Sequence, residues 1–299
     1  MNEVEFYLED LKSKFSKINP SDYYLAYSGG RDSHFLLWFI REYLHETRIP
    51  IVFSNTGMEI PEIRSRGLEN ADIVLKPALK HSEIKEKYGI PLNSKTTDEW
   101  IYRYQTRKAN GEKDEDMSNT LKHMVLRQVN ATPRGRKLGI LSRFAVDKKT
   151  SDAAINGTLH KVSPYCCKFL KKEPARIYAS ESGKKPILGL MGTESLTRKA
   201  IYKSCFSKNG MFHPLYDLSE LLRNKIEEYY GIPVPSVYKH TTQTGCAGCP
   251  YGQHGKNHGF LTTNYELSLC GEGQRKFILD YFAESYAFKG YTFQPRLFI

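Results

Sequence analysis

Long hydrophobic runs are missing from this chain of 299 residues. No stretch approaches the roughly eighteen consecutive apolar residues that a membrane-crossing helix needs, so the sequence excludes such a span. The opening MNEVEFYLEDLKSKF is charged and amphipathic, with no apolar centre, and the expectation is a cytoplasmic protein. Cysteine is sparse. Six of them in a chain of this kind point to metal ligands or reactive thiols rather than a disulfide framework. Acidic residues are also in deficit, 33 against 44 Lys and Arg, and the formal charge of +11 favours polyanionic partners, either nucleotides or nucleic acid.

Against those absences stands one well-marked stretch, Tyr23 to Ser33 (YYLAYSGGRDS). Tyr24 to Tyr27 form a short apolar strand pattern, and Phe35, Leu36, Leu37, Phe39 and Ile40 then recur at helical spacing. The turn between them holds Gly29 and Gly30, which carry no Cβ and let backbone N–H groups approach a ligand. Unpaired N–H groups and the positive dipole end of a helix together form an anion site. Ser28 and Ser33 add hydroxyls, Arg31 a cation, and Asp32 a carboxylate able to hold a metal ion beside phosphates. The plainer reading is a Gly-Gly turn capped by Asp32 or Ser33. No Gly-Lys-Ser/Thr follows, so this is not a Walker A loop.

SGGRDS resembles the PP-loop, SGGxDS, of the N-type ATP pyrophosphatases and of the phosphoadenosine phosphosulfate (PAPS) reductase superfamily. That resemblance implies a Rossmann-like α/β fold of the adenine nucleotide alpha hydrolase kind, a parallel sheet with helices on both faces, in which Ser28, Gly29, Gly30 and Ser33 grip phosphates. PIVFSN (50–55) and DIVLK (72–76) give further strands, each followed by a helical pattern, as in βαβ units whose ligand lies beyond the strand carboxyl ends. SNTGMEIPE lies at such an end. It resembles the DTGxxFPET segment of PAPS reductases and brings Asn55, Thr56 and Gly57 toward the same crevice, with Asn55 in place of the aspartate.

Between Lys95 and Lys149 the pattern loosens, and thirteen Lys or Arg outnumber seven Asp or Glu. RGRKLG (Arg134–Gly139) with Arg143, and Trp100, Tyr102 and Tyr104 interleaved with Arg103 and Arg107, suit a helical basic insertion that contacts a phosphate backbone while aromatics stack on bases. Solvated helices are the duller alternative. SPYCCKFLKKEP then carries Cys166, Cys167, Lys168 and Lys171, and TGCAGCPYG carries Cys246 and Cys249. Four thiolates from two loops suit a tetrahedral zinc or an iron–sulfur cluster.

The CC plus CxxC combination is similar to the cysteine pattern of adenylyl sulfate (APS) reductases. It implies a [4Fe-4S] cluster on Cys166, Cys167, Cys246 and Cys249, with zinc as the alternative. The family's RKxxP segment likewise implies that Lys168 and Lys171 reach a nucleotide phosphate. ILGLMGTESLTR, with an expected strand from Ile187 to Gly192, resembles GxRxxESxxR, so Glu194 and Arg198 are expected to orient the nucleotide or line the acceptor site. Met191 stands where that pattern has arginine.

The expected division is a PP-loop half (1–91), the basic insertion (92–150), completion of the domain with the metal-cluster cysteines (151–252) and a C-terminal helical segment (253–299). The reductases' nucleophilic ECGLH tail does not appear, and the phosphate loop keeps its full ATP-pyrophosphatase form. Both departures favour ATP with Mg²⁺ over PAPS or APS as ligand. The resemblance then implies an enzyme in which Arg31 and Asp32 serve the reacting phosphates. An acceptor is adenylylated, pyrophosphate leaves and sulfur follows, with nucleic acid (DNA or tRNA) as acceptor through residues 95–149 and a sulfur-donor protein as partner. A sulfonucleotide reductase using Cys205, Cys270 or a partner's thiol, and a zinc-stapled nucleotide- or nucleic-acid-binding module, are the alternatives.

Overall fold

A computed structural model describes residues 2–192, 204–241, 244–253 and 260–293. In chain order the described elements begin with α1 (Glu3–Phe15), β1 (Tyr23–Tyr27), α2 (Arg31–Trp38), β2 (Ile51–Ser54), α3 (Pro61–Asn70) and β3 (Ile73–Leu75). Then come α4 (His81–Tyr88), α5 (Lys95–Ala109), α6 (Asn119–Met124), α7 (Pro133–Leu138), α8 (Lys148–Ile155) and the short α9 (Tyr165–Cys167). A π-helical turn (Lys168–Lys172) leads into α10 (Glu173–Ser182), β4 (Lys185–Ile187) and α11 (Glu220–Tyr230), and the series closes with α12 (Phe260–Ser268), α13 (Glu272–Tyr281) and α14 (Ala283–Lys289). These elements belong to two units, Met1–Ala78 with Leu170–Thr244, and Leu79–Phe169 with Gly245–Ile299.

The first unit contains a four-stranded parallel sheet of order β3-β2-β1-β4. Leu25 pairs with Ile51 on one side and Ile187 on the other. Alternation sends Tyr23, Leu25 and Tyr27 into a core shared with Leu8 and Leu11 of α1 and Phe35 and Leu36 of α2. Tyr24 points the other way, onto α10. Its ring meets Tyr178 edge-on at 5.0 Å and its hydroxyl donates to the Ala175 carbonyl at 3.5 Å. Helices therefore cover both faces, as parallel strands require.

Helix α1 buries Val4, Tyr7, Leu8, Leu11 and Phe15, while Phe6 is 68% exposed. Two residues beyond Val4, Phe6 lies about 200° around the helix, and Leu8 completes the apolar stripe instead. The strand expected over Ile187 to Gly192 runs Lys185–Ile187. Leu188 and Gly192 donate to the Phe212 and Tyr216 carbonyls instead. Gly189 is why the chain leaves the sheet there. A Cβ on it would lie 3.0 Å from the Asp32 carbonyl carbon, so only a bare backbone fits against the first turn of α2.

The second unit is helical among the described residues, around Leu92, Ile101, Tyr104, Leu121, Val125 and Val162. The basic insertion is part of this core. Tyr104 is fully buried, its hydroxyl donating to Asp114 Oδ1 at 2.9 Å, and Tyr102 is tilted against Tyr165 at 4.7 Å. Tyr104 is thus a packing residue and not a platform for bases. Tyr251 and Ser285 fasten later stretches to the same core: Ser285 Oγ donates to the Pro91 carbonyl at 2.6 Å, and Tyr251 Oη to Asp98 Oδ2 at 2.8 Å. No helix of the described residues is long and apolar enough to cross a membrane.

Candidate functional site

The strand-to-helix turn after β1 is built by glycine. Gly29 has φ +72°, and a Cβ there would lie 2.3 Å from the Ile63 carbonyl oxygen, so α3 closes against the loop only where no side chain stands. Gly30, extended at φ −76° and ψ 168°, caps α2 without any side-chain bond of its own. Its missing Cβ would meet Tyr238 Oη at 3.0 Å, Ser28 Oγ at 3.2 Å and Thr244 Oγ1 at 3.3 Å. The loop amides are therefore ringed by hydroxyls.

Those hydroxyls engage the amides directly. The Ser28 N–H donates to Ser33 Oγ at 3.2 Å, the Gly30 N–H to Ser28 Oγ at 3.3 Å, and the Arg31 N–H to Tyr238 Oη at 2.9 Å. Ser33 is buried, shares a hydrogen bond with Ser28 Oγ at 3.0 Å and donates to the Gly30 carbonyl at 3.0 Å. Three donors that face a helix start are thus held by neutral oxygen atoms rather than by carboxylates, in the arrangement an anion would use.

Arg31 and Asp32 turn toward α11. The Arg31 guanidinium donates to Glu227 Oε2 from Nε at 2.8 Å and to Asn224 Oδ1 at 2.8 Å, and Asp32 pairs with Arg223. Behind the loop, Tyr27 Oη and His34 Nδ1 are 2.9 Å apart. Burial, helped by the Arg66 guanidinium, pushes the His34 pKa down to about 4, so the ring stays neutral.

A cavity of about 220 Å³ opens at the carboxyl ends of β1 and β2, lined among others by Tyr24, Ser28, Phe53, Glu59, Lys171 and Lys172. It is smaller than the roughly 300–1,000 Å³ of a whole-ligand pocket and suits part of a nucleotide. Lys171 Nζ lies 3.8 Å from Glu59 Oε1, and Ser54 Oγ donates to the Lys171 carbonyl at 3.5 Å. Lys168 belongs to the second unit, where its Nζ lies over the rings of Tyr165 and Phe169 at 5.4 and 5.2 Å. Asn55, Thr56 and Gly57 form the neighbouring strand-end turn. Gly57 (φ +77°) donates to Asn55 Oδ1 at 3.1 Å, and the Thr56 hydroxyl donates to the buried Glu59 carboxylate at 2.7 Å. Glu194 and Arg198 lie outside the described residues.

Sequence reasoning passed over Tyr238, Thr244 and Arg223. All three come from segments some two hundred residues beyond the loop, and no spacing rule connects them to it.

Cys166, Cys167, Cys246, Cys249 and Cys270 fall in the second unit. The Cys246–Cys249 turn closes through the Cys249 N–H on the Cys246 carbonyl at 3.1 Å. Gly248 makes it possible, with φ +65° and room for a Cβ only 2.7 Å from Tyr286 Oη. The Gly248 N–H donates to Glu266 Oε2 at 2.9 Å, and the Tyr286 hydroxyl donates to the Gly248 carbonyl. Cys166 is buried. A hydrogen bond with Cys167, burial and the nearby Cys167, Cys246 and Cys249 thiols push its pKa well up. Burial and the same four thiols raise the Tyr281 phenol. The CC and CxxC pairs therefore share one neighbourhood. Among the described residues, however, no three His, Cys, Asp or Glu side chains are grouped so as to hold a metal ion. The cysteines fit a [4Fe-4S] cluster by donor type, number and neighbourhood, and not by a preformed ligand geometry.

No family model matches the chain, and no curated protein does. Among solved structures, the phosphoadenylyl-sulfate (PAPS) reductase from Candida auris, in its phosphate complex, is similar at 13% identity, over 80% of this chain and 87% of that chain, with a TM-score of 0.41.

Proposed function

We propose that the protein is a PP-loop enzyme that binds the polyphosphate of an adenine nucleotide, ATP with Mg²⁺, at Ser28 to Ser33 and activates an acceptor by adenylylation for sulfur transfer. The observation that carries this reading is the loop itself. Its amides at Ser28, Gly30 and Arg31 are held only by hydroxyl oxygens. A phosphoryl oxygen is a stronger, charge-assisted acceptor than a hydroxyl and displaces it readily. Lys171 and Lys172, lining the cavity beside Ser28, supply cations for the same charge.

In the reaction an acceptor oxygen attacks the α-phosphorus. The bond from that phosphorus to the bridging oxygen breaks, the electron pair leaves with pyrophosphate, and the acceptor's proton passes to solvent. Stabilising the leaving group is the protein's main task, so oriented N–H groups and lysines matter more than a general base. We assign Glu194 and Arg198 to nucleotide or acceptor orientation. Cys166, Cys167, Cys246 and Cys249 would hold the [4Fe-4S] cluster, which when bound supplies sulfide or electron-transfer chemistry. Nucleic acid is the acceptor we favour, engaged by the exposed Arg134, Arg136, Lys137 and Arg143, with sulfur delivered by a donor protein in the cytoplasm.

The test incubates anaerobically purified protein with labelled ATP, PAPS and APS separately. Tight binding of ATP, with cleavage between its α- and β-phosphoryl groups once an acceptor is added, is the expected result. Thiol-dependent sulfite release from PAPS or APS without ATP would make it a sulfonucleotide reductase. Colourless protein that holds one zinc and cleaves none of the three would make it a binding module.

A further inference from the structure

Arg223 is an unusual residue for its place in the fold. Helix α11 buries Arg223, Ile226 and Glu227 on one face, and Arg223 is only 8% exposed. A leucine would cover the same surface without the cost of taking a charge out of water, and buried ion pairs are weak stabilisers against an apolar replacement. The guanidinium reaches the first turn of α2, where Nη1 pairs with Asp32 and lies 3.5 Å from Met191 Sδ. Its Nε is buried and has no hydrogen-bond acceptor among the described residues. The nearest carboxylate oxygen recorded for it, Glu227 Oε1, is 3.9 Å away, and Glu227 is already the acceptor for Arg31. A buried donor without an acceptor, on a group that always carries charge, is costly unless a ligand completes it.

The surroundings name the kind of ligand. Arg223 stands at the start of α2 beside the Arg31 amide and Tyr238, where the dipole and the loop amides favour negative charge. We propose that Arg223 is a phosphoryl ligand of the nucleotide, its fork taking oxygens of the bound polyphosphate while Asp32 turns to the accompanying Mg²⁺. The inference rests on the nucleotide reading above and adds to it a residue from α11.

The full chain is titrated with ATP–Mg²⁺ and with adenosine, using wild-type protein, Arg223→Met and Arg223→Lys. Arg223→Met removes charge-assisted bonds and should weaken ATP about 10- to 100-fold while leaving adenosine within about twofold. Arg223→Lys keeps a cation beside Asp32, preserves folding where the methionine variant does not, and should weaken ATP by about fivefold or more because lysine lacks the fork. A merely structural role would lower ATP and adenosine affinity together. If the folded lysine variant binds ATP as wild type does, or loses both ligands equally, the assignment of Arg223 is overturned and the nucleotide reading stands. Wild-type protein that takes up no nucleotide overturns both.

Discussion

Around Gly29 and Gly30 the chain makes its candidate anion site out of backbone, whereas around Cys166 and Cys246 it relies on side chains. The first needs a strand, a bare turn and a helix start, all fixed by local sequence, and its donors are already aligned on hydroxyl oxygens. The second draws thiols from segments some eighty residues apart, and their shared neighbourhood is not a formed ligand group. Backbone sites are organised by folding alone. Thiol sites gain their final geometry from the ion they bind, because mutual repulsion of thiolates opposes their convergence without it.

The sharpest break of that contrast is Gly30→Val. Its branched side chain would displace the hydroxyls of Ser28, Tyr238 and Thr244 that crowd the position, so ATP affinity should fall by more than about 100-fold with the helical circular dichroism retained. Unchanged ATP affinity in calorimetric titration would remove the phosphate-loop assignment. Cys246→Ala comes next. It should strip bound iron and lower the melting temperature of anaerobically purified protein, while ATP affinity stays near wild type. Full iron content in that variant would reject Cys246 as a ligand.

A smaller effect compares the two units by pH. His34 in the first unit and His160 in the second are each held neutral by burial, their pKa values pushed down to about 4 from an unfolded value of about 6.5. Between those values the unfolded chain binds a proton that the folded chain refuses. Stability is therefore full above about pH 6.5 and is lost as pH falls toward 4. His34→Gln and His160→Gln should each flatten part of that loss in urea titrations at pH 7 and pH 5. Equal slopes in wild type and both variants would show that neither ring is the source. The smallest effect is expected from Arg134→Glu, Arg136→Glu and Lys137→Glu together, all exposed. They should weaken binding of a DNA or RNA oligonucleotide and reduce its salt slope by up to about three. An unaltered slope would leave the insertion with its packing role alone.

The sequence showed the β1–loop–α2 unit and the parallel order because strand pattern, glycine pair and helical spacing are local signals. It misjudged the end of β4 because Gly189 answers to a neighbour in space, the first turn of α2. It could not show that Arg31 and Asp32 pair with Glu227 and Arg223, because nothing near them in the chain reveals α11. Tyr104 looked like a stacking aromatic beside arginines, and periodicity alone could not show that it shares a buried cluster with Leu121 and Val146.

Each unit is assembled from two separated stretches of chain. During synthesis the sheet stays open on one side until Lys185–Ile187 leave the ribosome to pair with β1, and Cys166 and Cys167 wait longer still for Cys246 and Cys249. A nascent chain stalled before residue 185 would present β1 with an uncovered edge, open to unwanted strand partners. Slow translation over that interval, or a chaperone that shields the edge, should then govern the yield of native protein.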